Sequence, residues 1–403
     1  MNILTINCGS SSLKFALYSV PERAGPVEIA ATPSLTGKYA EIGGSEAVLT
    51  FSRLDGAGSE SVKLGSSVSS HQTAWGDLVR RFFSAGISIS AVGHRIVHGG
   101  NKFRTTHQLT PAVVEEINGL SSLAPLHNIP AIQTIKAALA SFDQIPHFGV
   151  FDTAFHSSMP REAKTYPIPL NYFSDHMVER YGFHGLAHRS MLETSAAIAG
   201  VSSKAGRVIT LQLGAGCSGC AILNGNSIDT SMGFSPLEGL MMATRSGDID
   251  PSVIQYLHRQ ALIPYDDLFQ MLNKKSGLLG VSGLSSNMAQ LLKAEEEGDD
   301  RAGLAIGMFC RRVTKLIGAY LAILGGADRI VFGGGIGTNA PAIRERILTP
   351  LSGLGITFNS TQNRLAVGKN AVISAPGVSP SVIAVEVDEE LIIVQEILSA
   401  GAA

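Results

Sequence analysis

With 403 residues, 45% of them hydrophobic and 16% charged, the chain exceeds one ordinary core, which predicts two domains and argues against long disorder. A formal net charge of −2 gives no electrostatic footprint for nucleic acid or an anionic membrane. The longest apolar stretch, Leu316 to Ala327, is shorter than the ~20 residues of a membrane span, and "ILTI" follows the first residues without a basic region, so a cytoplasmic protein without a signal peptide is expected.

Residues 2–19, "NILTINCGSSSLKFALYS", read as an apolar strand, a Gly-Ser turn and an alternating strand. Residues 35–75 are rich in Gly and Ser with short apolar runs and predict extra strands at the edge of the first half. Thr110-Pro111 caps one helix, and Pro130 opens another in "PAIQTIKAALASF". Residues 207–223, "RVITLQLGAGCSGCAIL", repeat the layout of residues 2–19, so one hairpin opens each half of the chain. A glycine turn of this kind presents backbone N–H groups and suits a phosphate, yet this one carries no charged side chain, and Gln212 stands beside it.

Cys217 and Cys220 lie in that second hairpin, where no helix begins and no further ligands cluster. That favours small packing residues over a redox or zinc motif. The acidic run from Glu295 to Asp300 reads as a solvated helix turn rather than a metal site. Ile306, Phe309, Val313, Leu316, Tyr320 and Leu324 follow helical spacing and predict a core-facing stripe. "RIVFGGGIGTNAPAIRERIL" reads as strand, glycine turn and a helix begun near Pro341. Together these elements predict an α/β protein of two domains with a cleft.

Several stretches place polar groups inside or at the ends of apolar strands. His94, Arg95 and His98 lie in "GHRIVHGG", Asp152 and His156 in "FGVFDTAFH", and Arg180, His184 and His188 in "RYGFHGLAHR". "DTSMGFSPLEGLMMATRSGDIDP" holds Asp229, Glu238, Arg245, Asp248 and Asp250. Singly, each suits a structural ion pair or a bonded core histidine. As a set, cations, carboxylates and glycine hairpins match phosphoryl transfer, which needs positioning and charge neutralisation above all.

These stretches, with "INCGSSSLKF", "LAPLHN", "GGGIG" and the final "DEELIIV", resemble the acetate kinase family of the acetate and sugar kinase, Hsc70 and actin superfamily, in the family's order and over nearly the whole chain. The resemblance implies two actin-like (ribonuclease H-like) α/β domains, each a mixed sheet with helices on both faces, and an active site in the interdomain cleft. Its expected boundaries are 1–152 with 386–403 for the first domain and 153–385 for the nucleotide side. It implies phosphoryl transfer from ATP to acetate or a short-chain acid, with Mg²⁺, in a homodimer.

By the same resemblance, Asn7 lies near the transferred phosphoryl group, and Arg95 and Arg245 hold the carboxylate and that phosphoryl, a task suited to planar guanidinium forks. His184 stabilises the equatorial oxygens. Asp152 and Glu389 lie near Mg²⁺, with Asn7 and Glu389 the metal-side pair. Val97, Leu126, Phe183 and Pro236 form the small apolar pocket for the acid. Lys14, Gln212, Gly214, Gly216, Asn287, Gly334, Gly335 and Ile336 take the nucleotide.

The chain also departs from the family pattern. Gln212 and Ala215 stand where His and Asn are usual, Asn287 and Ala289 where Asp and Arg are usual, Ile129 is inserted after "LHN", and Val387-Asp388 replaces Thr-Asn. Gln offers amide donors but carries no charge. The acid side thus keeps its parts while the donor side has lost several, which leaves open another phosphoryl donor such as pyrophosphate, or a ligand-binding homologue without turnover.

Overall fold

The computed structural model describes residues 1–21, 32–53 and 58–401, apart from the side chains of Arg53, Pro125 and Leu126. Leu126, expected in the acid pocket, therefore has its side chain outside the described residues. The chain divides into two compact units, Met1–Ala154 with Asp388–Ala403, and Phe155–Val387.

The first unit is built on a sheet ordered β5-β4-β3-β2-β1-β6-β8-β7. Its strands are β1 (Asn2–Cys8), β2 (Leu13–Ser19), β3 (Leu35–Ala40), β4 (Val48–Arg53), β5 (Gly58–Lys63), β6 (Ala91–Ile96), β7 (His107–Gln108) and β8 (His147–Phe151). β1, β6 and β8 run parallel, while β1 to β5 form an antiparallel meander. The strands expected between residues 35 and 75 are thus present as β3, β4 and β5.

Alternation along β6 sorts the helices onto opposite faces. Val92 packs in one core cluster with Ala131 and Ala138 of helix Pro125–Ser141. The next residue, Gly93, faces helix Glu389–Ser399, where a Cβ would run into Ile393 and Ile397. Thr110 caps helix Pro111–Gly119 as expected, accepting a bond from Val113 N. The helix expected to open at Pro130 instead begins at Pro125, with Pro130 inside it. Pro125 at the first position needs no N–H partner, and the burial of Ala131, Ile132 and Ile135 outweighs the one backbone donor lost at Pro130.

The second unit repeats this plan in a sheet ordered β11-β10-β9-β12-β14-β13. Its strands are β9 (Arg207–Leu213), β10 (Cys217–Leu223), β11 (Asn226–Thr230), β12 (Arg329–Gly333), β13 (Ala371–Val372) and β14 (Ser381–Ala384). β9, β12 and β14 are parallel, and β9, β10 and β11 antiparallel. Cys220 faces a cluster with Met191 and Leu192 of helix Gly185–Ala199. Neighbouring Gly219 faces helix Asp300–Leu324, whose Tyr320 hydroxyl donates to its carbonyl.

The apolar stripe of that long helix is core, with a shift: Ile317 is fully buried and Leu316 half-buried. The acidic run forms the end of helix Met288–Glu296 and a turn in which Asp299 caps the next helix. The glycine segment after β12 is not a turn; Gly334–Asn339 is itself a short helix ahead of Pro341–Leu348. Gly334 takes φ +76°, and a Cβ there would lie 2.6 Å from Leu213 O, so glycine composition here serves close packing on β9 rather than a hairpin.

Candidate active site

In the first unit the polar side chains gather where the parallel strands end, the usual place for ligand groups in such sheets. Asn7 and Arg95 are register partners on β1 and β6, and Asp152 follows β8. Arg95 Nε and Nη2 donate to the two Asp152 oxygens at 2.9 and 2.5 Å, and Nη1 donates to Asn7 Oδ1 at 2.9 Å. Asn7 Nδ2 donates to Glu389 Oε2 at 3.3 Å, which also lies 3.7 Å from Arg95 Nη1. Burial works against the Arg95 charge, but Asp152 and Glu389 outweigh it and hold the guanidinium more firmly protonated than in water.

Lys14 pairs with Asn7 across the β1–β2 hairpin and is exposed. Val97 is buried just beyond β6. The insertion at Ile129 leaves that side chain exposed, while Asn128 is fully buried and brackets His98, accepting from its N–H and donating to its carbonyl.

The oxygen set at this end suits a hard cation. Among the described residues no cluster of three or more His, Cys, Asp or Glu is arranged to enclose a metal. Mg²⁺ asks for less, because it keeps most of its water and takes one or two carboxylates. Two carboxylates stand around the single Arg95 guanidinium, and burial beside Glu389 pushes the neighbouring Glu390 carboxyl upward, as expected where negative charge is in excess. Asn7 Oδ1 and Glu389 therefore fit the ion.

The second unit brings its groups to the loop after β9. His184 holds a left-handed conformation, φ 59°, at the start of helix Gly185–Ala199, a conformation uncommon for residues other than glycine. Its Nδ1 lies 2.8 Å from Ser218 Oγ on β10. Gly216 is the contact point: a Cβ built there would come 3.2 Å from His184 Cε1 and Nε2 and 3.7 Å from Arg245 Nη1. The glycine keeps the ring edge and the guanidinium open to the loop.

Arg245 donates to Pro236 O at 3.2 Å and touches Met242 Sδ, and it has no carboxylate partner among the described residues. Burial pulls its pKa down. Arg344 marks the contrast. It is fully buried and has no carboxylate among the described residues, and burial lowers it to about 10, but five acceptors surround it: Gly337 O, Thr338 O, Asn363 O, Ala366 O and Asn363 Oδ1. Arg344 is satisfied by the fold, whereas Arg245 has donors left for an anion.

Gln212 occupies the position on β9 that Asn7 occupies on β1, and it pairs with Gly333 where Asn7 pairs with Arg95. Its Oε1 is buried with no hydrogen-bond partner, and its Cδ lies 3.1 Å from a Cβ built at Gly334. Gly214 N donates to Gly216 O at 3.1 Å, which closes the turn, and Ala215 is exposed at its tip. Gly335 is exposed with open space around it, and Ile336 is half-buried.

Other candidates are engaged within the fold. Asn287 Oδ1 caps helix Met288–Glu296, accepting from Ala289 N and Gln290 N. Arg180 donates to Glu238 at 2.5 Å and to carbonyls of Thr230, Ser231 and Met232, bracing that loop. Asp388 caps the C-terminal helix at Leu391 N, and Val387 packs against Gly333. Phe183 is buried and Pro236 half-buried. The Cys217 and Cys220 thiols are free and buried, and burial pushes Cys217 up to about 12 and Cys220 further, which makes both inert.

No sequence pattern marks Ser218, which bonds both His184 and His188. The four-residue spacing of those histidines, one capping the helix and the other in its first turn, is the available hint.

Residues 2–395 match the model of the acetokinase family. An acetate kinase of Chloroherpeton thalassium is 41% identical over 410 residues, covering 98% of each chain. The crystal structure of Porphyromonas gingivalis acetate kinase superposes with a TM-score of 0.90 at 36% identity over 99% of both chains. That of a propionate kinase from Francisella tularensis gives 0.89 at 35% identity over 98% of both.

Proposed function

The chain belongs to the acetokinase family and is a phosphotransferase with a carboxyl group as acceptor, and on that premise we propose that it transfers the γ-phosphoryl group of ATP to acetate or propionate, reversibly, giving the acyl phosphate and ADP. In the forward direction a carboxylate oxygen attacks phosphorus, and the bond from phosphorus to the ADP oxygen breaks. No proton need move, so the residues contribute charge and geometry.

The observation that carries the reading is Arg245, a half-buried guanidinium without a carboxylate among the described residues, beside His184 at Gly216. Such a group favours an anion that gathers charge in the transition state. His184 would donate from Nε2 to the same oxygens. Arg95, held in place by Asp152 and Asn7, would take the acid carboxylate. The turn at Gly214 and Gly216 and the exposed backbone at Gly335 would border the remaining phosphates, with Gln212 giving an amide donor where charge is absent. Asn7 and Glu389 would hold Mg²⁺, which when bound neutralises phosphate oxygens. Val97, buried just beyond β6, would face the acid's apolar side and favour a short acid.

Four free, buried cysteines suit a reducing compartment, and a cytoplasmic location is part of the reading. Among the described residues no helix is long and apolar enough to cross a membrane. A homodimer is also proposed; exposed Tyr256, Leu262, Tyr265 and Phe269 support a buried partner face, and sedimentation at a monomer's mass would refute it.

The test is hydroxylamine trapping of acyl phosphate over a grid of donors (ATP, GTP, pyrophosphate) and acids (acetate, propionate, hexanoate). Hydroxamate should form with ATP and the two short acids, with each added methylene shifting kcat/KM by about 10- to 200-fold. Uncharged Gln212 favours a second reading in which another donor is preferred, and the pyrophosphate arm decides it. No hydroxamate with any pair would refute turnover altogether.

A further inference from the structure

Behind His184 runs a line of polar groups that the transfer chemistry leaves unused. His184 Nδ1 lies 2.8 Å from Ser218 Oγ, Ser218 Oγ lies 2.9 Å from His188 Nε2, and His188 Nδ1 lies 2.8 Å from Thr210 Oγ1. Thr210, Ser218 and His188 are all fully buried. Three of these groups could each point either way in isolation. Joined in a line, they share one polarity.

We infer that Thr210, His188 and Ser218 form a one-way hydrogen-bond relay that fixes the His184 ring with its proton on Nε2, the nitrogen beside Gly216. Thr210 sets the direction. Its hydroxyl has one side-chain partner, His188 Nδ1, and a buried O–H without an acceptor is costly, so Thr210 donates there. His188 then carries its single proton on Nε2 and donates it to Ser218 Oγ. Ser218 has its own proton left, and His184 Nδ1 is the acceptor within reach. A neutral His184 accepting at Nδ1 must bear hydrogen at Nε2.

Neutral His188 is independently expected, because burial, with His156 and His184 facing it, pulls its pKa well below the ordinary value. Had the relay run the other way, His184 Nδ1 would hold the proton, and a neutral ring would turn a lone pair toward the loop. A lone pair there would repel phosphoryl oxygens. Ser218, His188 and Thr210 are therefore positioning residues for His184. The consequence for transfer rests on the role proposed for His184 above, whereas the polarity of the relay does not.

The test is long-range ¹H–¹⁵N correlation of histidine-labelled full-length protein, with steady-state kinetics of Ser218→Ala, Ser218→Thr and Thr210→Val. In the native protein His184 and His188 should both show an unprotonated Nδ1 and a protonated Nε2. Ser218→Ala should mix the His184 ring signals and lower kcat about ten-fold, the weight of one hydrogen bond, with KM for acid and donor nearly unchanged. Ser218→Thr should restore both. Thr210→Val, which keeps the shape, should release His188 from its single form, and it serves as the second variant if Ser218→Ala fails to fold. A protonated Nδ1 on His184 in the native protein overturns the relay, as does a folded Ser218→Ala with unchanged ring signals and kcat. Full turnover by His184→Ala would instead overturn the role of His184 in transfer, and the native ring signals would still decide the relay.

Discussion

Asn7 and Gln212 hold the same place in the two halves of the chain, each one residue before the end of the strand that opens its hairpin, yet their surroundings are opposite. Asn7 faces Arg95 in the register, and both ends of its amide are bonded. Gln212 faces Gly333, and its Oε1 is buried without a partner. The arginines divide in the same way: Arg95 is held by Asp152 and Glu389, and Arg245 has no carboxylate among the described residues. The set around Arg95 is bonded within itself before any ligand arrives. Their counterparts in the second unit are left open: Gln212 Oε1 lacks a donor, and Arg245 keeps guanidinium donors beyond its one bond to Pro236 O. A repeated backbone plan thus carries two electrostatic designs, one stable and one receptive.

The largest expected effect comes from removing the hub of the satisfied set. Arg95→Ala leaves Asp152, which is almost wholly buried, without its partner. Breaking a buried pair in this way costs roughly 3–5 kcal/mol. Thermal unfolding should show a lower Tm, and hydroxamate formation should fall by about 10²–10³-fold or more, the loss typical of one charge-assisted donor. Unchanged Tm would mean that Asp152 finds another partner and that the set around Arg95 is not held by that pair.

Arg245→Ala should lose about as much turnover, 10²–10³-fold, but without the loss of Tm. The variant removes a half-buried cation that no carboxylate among the described residues compensates, so apo stability should hold or rise. Arg344→Met supplies the control. Five acceptors depend on Arg344, and its loss should lower Tm sharply even though it too lacks a carboxylate. If Arg245→Ala and Arg344→Met destabilise equally, Arg245 is a structural cation and the receptive reading of the second unit fails.

The halves agree in one respect, since each buries neutral histidines. His94 Nε2 meets His147 Nδ1 at 3.1 Å in the first unit, and burial lowers both. In the second, burial lowers His188 and takes His156 to about 4. An unfolded chain binds these protons near 6.5, so between that value and about 4 it holds more protons than the folded chain. The stabilisation is therefore full above the ordinary histidine range and is lost as pH falls through it toward about 4. Tm should drop between pH 7.5 and 5, and His156→Gln should flatten part of the drop. A Tm indifferent to pH over that range would contradict neutral burial.

Much of this was legible beforehand because it rests on local pattern. Strand-turn-strand at 2–19 and 207–223 is written in apolar alternation and glycine, and both hairpins lie inside their sheets, next to the parallel strands. Arg95 and Asp152 could be named because strand-end polar residues in apolar runs are conspicuous, whereas Asn7 was named only through the family resemblance. The start of the helix at Pro125 was missed because Pro130 looks like an opening, and only tertiary burial of Ala131 and Ile135 overrides it. The helix at Gly334–Asn339 was missed because six residues with three glycines and no apolar period have no helical signature. Ser218 was invisible, since a serine in a buried strand acquires meaning only from the two histidines that cross over it.

The smallest expected effect bears on the orphan amide, and its value lies in its sign. A buried oxygen without a partner costs the folded protein about 1–3 kcal/mol, and an apolar group of the same shape removes that cost. Gln212→Met keeps length and volume while deleting the amide. If Oε1 is orphaned in the free protein, the variant should unfold at a higher temperature than the native chain without ligand, by a few degrees at most. If the same amide donates to a phosphate when the nucleotide binds, the variant should gain less from saturating ATP, because binding stabilises only through contacts made in the bound state. The two shifts run in opposite directions. A structural amide that never meets ligand would raise the free Tm and leave the ATP-induced shift intact. An amide already bonded in the free protein would lower the free Tm. Scanning fluorimetry of both proteins with and without ATP and Mg²⁺ separates these outcomes, and only a raised free Tm with a reduced ATP shift supports a second unit built to be completed by its substrate.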